Sequence, residues 1–242
     1  MPATPIVTIH QPQYLPYIGL LAKIDAADTC VLFDTAQFQK GYFDNRNVIR
    51  DRCGEKVWLT IPVAVKSGVA IKDTAIAADG WQRKHLETLK QAYGKAAFFK
   101  QFYEEFEQIL RGREYGCISE IAEETIKWLC RSFGITTAFL RASDLWDGVA
   151  RTPAATLAYN TTKARGGSYL AGPSWKYYLN TGDIVSFFHD GICFLEASIT
   201  EARYKAHNGY YPNTSAIDLL FSQGRDGLRV IRDSILVSEV RL

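Results

Sequence analysis

The chain has 242 residues and a formal net charge of +2, with 28 Lys and Arg against 26 Asp and Glu. Because these charges nearly balance and no run of five basic residues occurs, the composition gives no support to nucleic-acid binding. Hydrophobic residues make up 47% of the chain, enough for a sizeable core, but no apolar run approaches the roughly 18 residues of a membrane span. The first residues lack a secretory pattern, so we expect a cytoplasmic protein.

The first 33 residues predict a strand, a stiff polar loop, a helix and a second strand. Residues 6–9 are typical of a buried strand, and Pro12 and Pro16 hold the residues before them extended in the loop that follows. Apolar residues recur at helical spacing from Ile18, and residues 30–33 predict the second strand. This order is that of a βαβ unit, in which ligands bind beyond the carboxyl ends of the strands.

Polar side chains follow both predicted strands. His10 ends the first strand and Asp34 follows the second, so we expect both at one edge of the sheet. Around them lie amides, a phenol and two cations: Gln11, Gln13, Tyr14, Gln37, Lys40, Asn45, Arg46 and Asn47. Asn and Asp also close turns, which is the structural alternative. The variety of the set favours a polar ligand pocket.

Each of these residue types suits a different task in such a pocket. His10 titrates near neutrality and is the candidate general base, or a neutral hydrogen-bond donor. Asp34 is expected either to orient His10 or to hold a substrate amine, with a helix cap as the alternative. Lys40 and Arg46 are the candidate anion clamp. The remaining amides and Tyr14 are candidate substrate-binding groups.

A second pair of candidates lies further along the chain, at Lys84 and His85. Adjacent residues on a helix point about 100° apart, so we do not expect both to face one site. His85 is the better candidate for reaching the pocket, and a solvated position is the alternative for Lys84.

The rest of the chain predicts alternating strands and helices. Up to residue 140 the patterns predict two strands, three helices and a strand: 56–65, 71–77, 81–93, 98–110, 118–133 and 136–140. Beyond it they predict a helix begun by Thr152 and Pro153, a strand, a helix, two strands and a helix capped by Ser215: 153–163, 168–171, 175–179, 184–188, 192–196 and 217–221. The order predicts an α/β fold with a mostly parallel sheet, flanking helices and a helix-rich second part.

The polar connection at residues 144–152 is the predicted boundary within the chain. It separates an N-terminal α/β domain, residues 1–143, from a C-terminal part, residues 144–242, that we expect to pack against it rather than fold alone. The five cysteines are scattered without a paired spacing, which favours buried reduced thiols over a disulfide or metal site. No metal ligand is therefore assigned.

Several blocks of residues resemble one known family. They are His10-Gln-Pro-Gln-Tyr-Leu-Pro-Tyr, Asp34 with Gln37, Phe38 and Lys40, Asn45-Arg46-Asn47 with Ile49, Trp81 with Lys84 and His85, Tyr93 with Lys95, and Pro212-Asn213 with Ser215 and Asp218. Together these blocks are similar to the WbqC-like protein family over nearly the whole chain. The chain departs from the family pattern at residues 171–175 and 184–197.

The resemblance implies an acyl or aminoacyl (glycine-type) transferase in bacterial surface-polysaccharide, such as O-antigen, or natural-product biosynthesis. The implied partners are a small-molecule substrate and an activated acyl or aminoacyl donor. An aminoacyl-tRNA donor would be the one nucleic acid involved. A non-catalytic accessory protein that binds a sugar or nucleotide is the alternative.

A third alternative is an ATP-using ligase. The order of strand, polar loop and helix also resembles adenylate-forming nucleotidylyl-transferases, in which a pair of histidines binds ATP phosphates. Residues 17–19 occupy the place of the second histidine, and the chain has no Gly-rich phosphate loop. ATP is thus a possible cofactor that the residues themselves do not require.

Overall fold

The computed structural model describes residues 4–64, 68–145 and 153–241. Its strands are β1 (Ile6–His10), β2 (Thr29–Leu32), β3 (Arg46–Arg50), β4 (Lys56–Thr60), β5 (Ala138–Arg141), β6 (Ser168–Ala171), β7 (Phe194–Ile199) and β8 (Ile235–Glu239). Its α-helices are α1 (Ile18–Asp25), α2 (Trp81–Tyr93), α3 (Phe99–Arg111), α4 (Ile118–Phe133), α5 (Ala142–Leu145), α6 (Ala154–Ala164), α7 (Thr181–His189), α8 (Ile217–Gln223) and α9 (Gly227–Asp233). Short 3₁₀ helices span Ile71–Asp73, Pro173–Tyr177 and Gly224–Asp226.

Strand β1 lies inside a six-stranded sheet of order β5-β2-β1-β6-β7-β8. All neighbours in this sheet are parallel except β7 and β8. The mostly parallel α/β fold expected from the sequence is confirmed. Since the chain moves from β1 to β2 on one side and later returns to add β6 on the other, the strand order reverses between β1 and β6.

The two faces of the sheet bury different side chains because side chains alternate along a strand. Val7 and Ile9 lie in one core cluster with Leu157 of α6 and Phe187 of α7. Helix α1 packs against β7, β8 and α9, on the other face. Residues 8 and 10 of β1 therefore point towards the face covered by α1.

A second layer of helices packs beside the sheet and the β3–β4 hairpin. Helices α2, α3, α4 and α8 share a large core cluster with α1. The contacts include aromatic pairs, as between Phe106 and Trp128, whose ring centroids are 4.8 Å apart. This layer holds the loop after β1 against the hairpin.

Two sequence predictions of local structure are wrong. The predicted strand at residues 184–188 lies in α7, which begins with a capping box between Asn180 and Asp183. The predicted strand at residues 71–77 begins as a 3₁₀ helix, Ile71–Asp73. Short apolar runs cannot be assigned to strand or helix by periodicity alone.

Other elements were missed or lie outside the described residues. The polar segment at residues 34–49 contains the start of β3, and α9 and β8 were not predicted. The expected helix cap Thr152, most of the boundary at 144–152 and the end of the strand predicted at 56–65 lie outside the described residues. The antiparallel pairing of β3 with β4 makes the segment that contains Cys53 and Gly54 a hairpin turn.

We expect Gly167→Ala to weaken the junction of β1 with β6. A Cβ at Gly167 would lie 2.2 Å from the carbonyl oxygen of Pro5, which accepts a hydrogen bond from Ser168 N at 2.7 Å. Overpacking of this kind costs about 1–3 kcal/mol, to be measured by urea unfolding. Gly116→Ala is the control, because nothing lies within 4 Å of its added Cβ; equal stability of the two variants would contradict the expectation.

Candidate functional site

The reversal of strand order places a candidate site at the carboxyl ends of β1 and β6. In open α/β sheets, ligands bind outside the carboxyl ends of the strands where the order reverses. Three residues from separate segments lie there: His10 at the end of β1, Lys23 on α1 and Gly172 after β6. We call this group the β1–β6 junction.

One ring nitrogen of His10 is engaged in a hydrogen bond. Its Nδ1 lies 2.8 Å from the carbonyl oxygen of Gln11, and because a carbonyl only accepts, Nδ1 donates. Burial, with the nearby charge of Lys23, lowers the pKa of His10 to about 4, against the opposing effect of the Gln11 hydrogen bond. The imidazole is therefore neutral at physiological pH, and its Nε2 carries a lone pair that can accept a proton.

Lys23 is a buried ammonium group without a carboxylate partner in the described part of the chain. Its side chain is 5% exposed, and its Nζ donates to the carbonyl oxygen of Ile9 at 2.8 Å. Burial lowers the pKa of Lys23 to about 8, partly offset by Cys30. Burial also raises the pKa of Cys30 to about 12, so the thiol stays neutral and is not a counter-ion.

A cavity of about 610 Å³ lies at the same edge of the sheet. It lies beyond the carboxyl ends of β1 and β2, since Gln11 and Phe33 both line it. Its other lining residues come from the following loops and the start of α6: Thr35, Ala36, Gln37, Gln39, Gly68, Val69, Ala70, Asp73, Pro153 and Ala154. Of the sequence candidates, Gln11 and Gln37 line this cavity; His10, which precedes Gln11 in the chain, is not among its lining residues.

Asp34 follows Phe33, whose backbone is bonded to His10, but the Asp34 carboxylate forms its hydrogen bonds elsewhere. The backbone N of Phe33 donates to the carbonyl oxygen of His10 at 2.8 Å, which joins the two strand ends. The Asp34 carboxylate accepts from the backbone N and the hydroxyl of Ser143, at 3.0 and 2.6 Å. It therefore fixes the start of α5, while the His10 ring is oriented by Gln11.

Four other candidates form hydrogen bonds in the interior. The Tyr14 hydroxyl donates to Nδ1 of His85 at 3.0 Å, since His85 Nε2 donates to the carbonyl oxygen of Thr60 at 3.2 Å. Asn45 Nδ2 donates to the carbonyl oxygen of Ile61 at 2.7 Å, and Asn47 Nδ2 to that of Leu15 at 2.6 Å.

These four side chains are all buried. Their hydrogen bonds connect the loop after β1, the β3–β4 hairpin and α2. The four side chains thus tie interior elements together, and none of them lines the cavity.

The remaining candidates line neither the cavity nor the β1–β6 junction. Lys40 and Lys84 are exposed. Arg46 donates to the carbonyl oxygen of Gly41, and its guanidinium lies 4.2 Å from the ring centroid of Trp58. Gln13 is partly buried, and its Oε1 is buried without a partner among the described residues.

A second cavity, of about 250 Å³, was missed by sequence reasoning. It lies between the start of α1, the end of β7 and the loop before α8, and its tyrosines are Tyr17, Tyr204, Tyr210 and Tyr211. Tyr204 is fixed because its hydroxyl donates to Asp218 at 2.7 Å, as the Tyr93 hydroxyl also does. The signal was the polar and aromatic run at residues 204–213, whose partners no local pattern reveals.

The described residues give no direct sign of a metal or a membrane. Within ranges 4–64, 68–145 and 153–241, no three His, Cys, Asp or Glu side chains are grouped as a metal site needs. No helix in those ranges is long and apolar enough to cross a membrane.

Protonation of His10 and His85 should destabilise the protein in acid. Burial also lowers the pKa of His85 to about 4, and the value in an unfolded chain is about 6.5. The unfolded chain then binds more protons, so the free energy of unfolding falls as the pH drops from about 6.5 to about 4. Titrations of the imidazole C2 protons by NMR should place His10 and His85 near 4; ordinary values for both would contradict their burial.

No solved structure matches this chain. The chain is 28% identical over 238 residues to Rv1507c of Mycobacterium tuberculosis, described as uncharacterised, covering 93% of this chain and 97% of that protein. The sequence matches the WbqC-like protein family over residues 11–230, and the chain therefore belongs to that family.

Proposed function

We propose that the protein is a transferase that moves an acyl or aminoacyl group from an activated donor to an amine or hydroxyl of a small acceptor. The observation that carries the proposal is the His10 imidazole, neutral and oriented by Gln11, at the point where the strand order reverses. The cavity of about 610 Å³, which is lined by the next residue, Gln11, is large enough for a small substrate. The family resemblance points to the same reaction class.

In this reaction the acceptor's nitrogen or oxygen attacks the carbonyl carbon of the donor. His10 Nε2 takes the proton lost by the attacking atom, and the resulting imidazolium returns it to the leaving group. The hydrogen bond from Nδ1 to Gln11 fixes the tautomer in which Nε2 can accept. A pKa of about 4 makes His10 a weak base in the free protein, and a negative charge developing beside it would raise that pKa.

The other residues would bind and position. Gln11 and Gln37 line the cavity with amides, suited to a polar acceptor or the donor's acyl group. Asp34 would act through α5, whose first turn it holds. Lys40, Arg46 and Lys84 are then candidates for contacts with the outer part of a large donor, since Lys40 and Lys84 are exposed.

A binding module without turnover is the second candidate function. The observation that favours it is the tyrosine-lined cavity of about 250 Å³, whose hydroxyls and ring faces suit a small polar ligand such as a sugar or the sugar of a nucleotide. It lies at the N-terminal end of α1, whereas Lys23 lies in the last turn of that helix. In such a protein, substitutions at His10 would leave ligand affinity unchanged.

The test is loss of turnover in His10→Gln. Purified protein is incubated with panels of donors (acyl thioesters, aminoacyl-tRNA, and ATP with free amino acids) and of small amines and hydroxyl compounds, and products are identified by mass spectrometry. General-base catalysis contributes about 10²–10⁴-fold, so the variant should lose a factor in that range from kcat. His189→Gln is the matched control, because that side chain is 85% exposed on α7.

Three outcomes separate the hypotheses. Product from the wild-type protein and from His189→Gln but not from His10→Gln supports the transferase. Equal turnover by His10→Gln removes His10 as the base. Ligand-dependent stabilisation without product from any donor favours the binding module.

A further inference from the structure

We propose that the β1–β6 junction binds an anionic group of the substrate, a carboxylate or a phosphate, through the Lys23 ammonium. This rests on the proposed function in one respect, since it takes the junction as the substrate site. It replaces the expected anion clamp of Lys40 and Arg46 with a residue that sequence reasoning passed over.

Lys23 has the donors for such a contact. An ammonium group carries three N–H donors, and only the one to the carbonyl oxygen of Ile9 has a partner among the described residues. Buried charges in proteins are normally paired, because removing an unpaired ion from water is costly. A bound oxyanion would supply both the missing charge and the missing acceptors.

The neighbouring acidic groups do not supply a negative charge to Lys23. On α1 itself, Asp25 is paired with Arg232, at 2.8 Å. The Cys30 thiol is neutral at physiological pH, and the Asp34 carboxylate is bonded to Ser143. The positive charge of Lys23 is therefore uncompensated within the described part of the chain.

Near the Lys23 ammonium lie a glycine without a side chain and several exposed or partly exposed residues. A Cβ built on Gly172, which follows β6, would lie 3.5 Å from Nζ, so a longer side chain at this position would occupy the space beside the amine. The next residues, Pro173 and Ser174, are exposed, and His10 and Gln11 are partly exposed. A ligand entering between them would meet Lys23 and His10 together.

The arrangement also fits the proposed chemistry. A substrate held by its carboxylate or phosphate at Lys23 would place an adjacent amine, hydroxyl or acyl carbon near Nε2 of His10. The binding of an anion would offset the electrostatic effect by which Lys23 disfavours protonation of His10. Substrate binding would thus make His10 a better base at the moment when it is needed.

The test measures anion binding, not turnover. Sodium phosphate and sodium acetate are each titrated against the whole protein at constant ionic strength, with the melting temperature and the His10 C2-proton shift as readouts. The variants are Lys23→Met, which keeps the length of the side chain and removes its charge, and the control Lys90→Met, an exposed lysine on α2. We expect saturable responses in the wild type and in Lys90→Met. In Lys23→Met we expect the affinity for the anion to fall by a factor of about ten or more.

The two salts distinguish the sources of the anion. A tighter response to phosphate points to a phosphate-bearing donor, and a tighter response to acetate points to a carboxylate. An unchanged affinity in Lys23→Met, or no saturable response of the wild type to either salt, would overturn the proposal.

A second measurement avoids any folding defect of Lys23→Met. Wild-type protein is treated with cyanate, which carbamylates amines, and peptides containing Lys23 and Lys90 are quantified by mass spectrometry. Phosphate or acetate should protect Lys23 and leave Lys90 unchanged. Two results would count against the site, whatever the result of the His10→Gln turnover assay. One is that Lys23 is labelled equally with and without the salts, and the other is that Lys23 is not labelled when Lys90 is fully labelled.

Discussion

The pairing of β1 on both of its edges is the constraint on which the rest of the structure depends. Its residues pair with β2 on one side, as His10 with Leu32, and with β6 on the other, as Thr8 with Leu170. The second pairing joins segments about two thirds of the chain apart. It creates the reversal of strand order, and with it a gap at the carboxyl edge that no single segment could form.

The local parts of this arrangement were predictable from the sequence. Residues 6–9, the helix from Ile18 and residues 30–33 have strong patterns and form β1, α1 and β2. Even β6, at residues 168–171, was predicted at its observed position. The pairing of β6 with β1 was not, because periodicity reports which face of an element is buried and says nothing about its neighbour.

The candidate site was predictable to a smaller extent, for a similar reason. The density of polar residues after β1 and β2 predicted a site at this edge of the sheet, where His10 ends β1 and where Gln11 and Gln37 line a cavity. The same density also marked Asn45 and Asn47, whose amides donate to backbone carbonyls. A carboxamide that binds a ligand and one that closes a buried loop have the same composition, and only the tertiary contacts distinguish them.

Lys23 shows the opposite failure, since a lysine within a helical pattern is normally read as a solvated residue. It is buried because α1 packs over the sheet next to β1, and that position follows from strand order rather than from α1's own sequence. Among the buried ionisable groups, His85, Asp34 and Asp218 all have their hydrogen-bond partners within the described protein.

The Lys23 ammonium and the Nε2 of His10 lack a full set of hydrogen-bond partners among the described residues, and both groups lie at the β1–β6 junction. A protein tolerates an incompletely partnered charge in its interior only at a cost in stability. Such a cost is expected where a ligand completes the hydrogen bonds, because functional sites are where folds keep local features that oppose stability. Among these buried ionisable side chains, the incompletely partnered Lys23 therefore marks the junction at which we propose that an anionic substrate group binds.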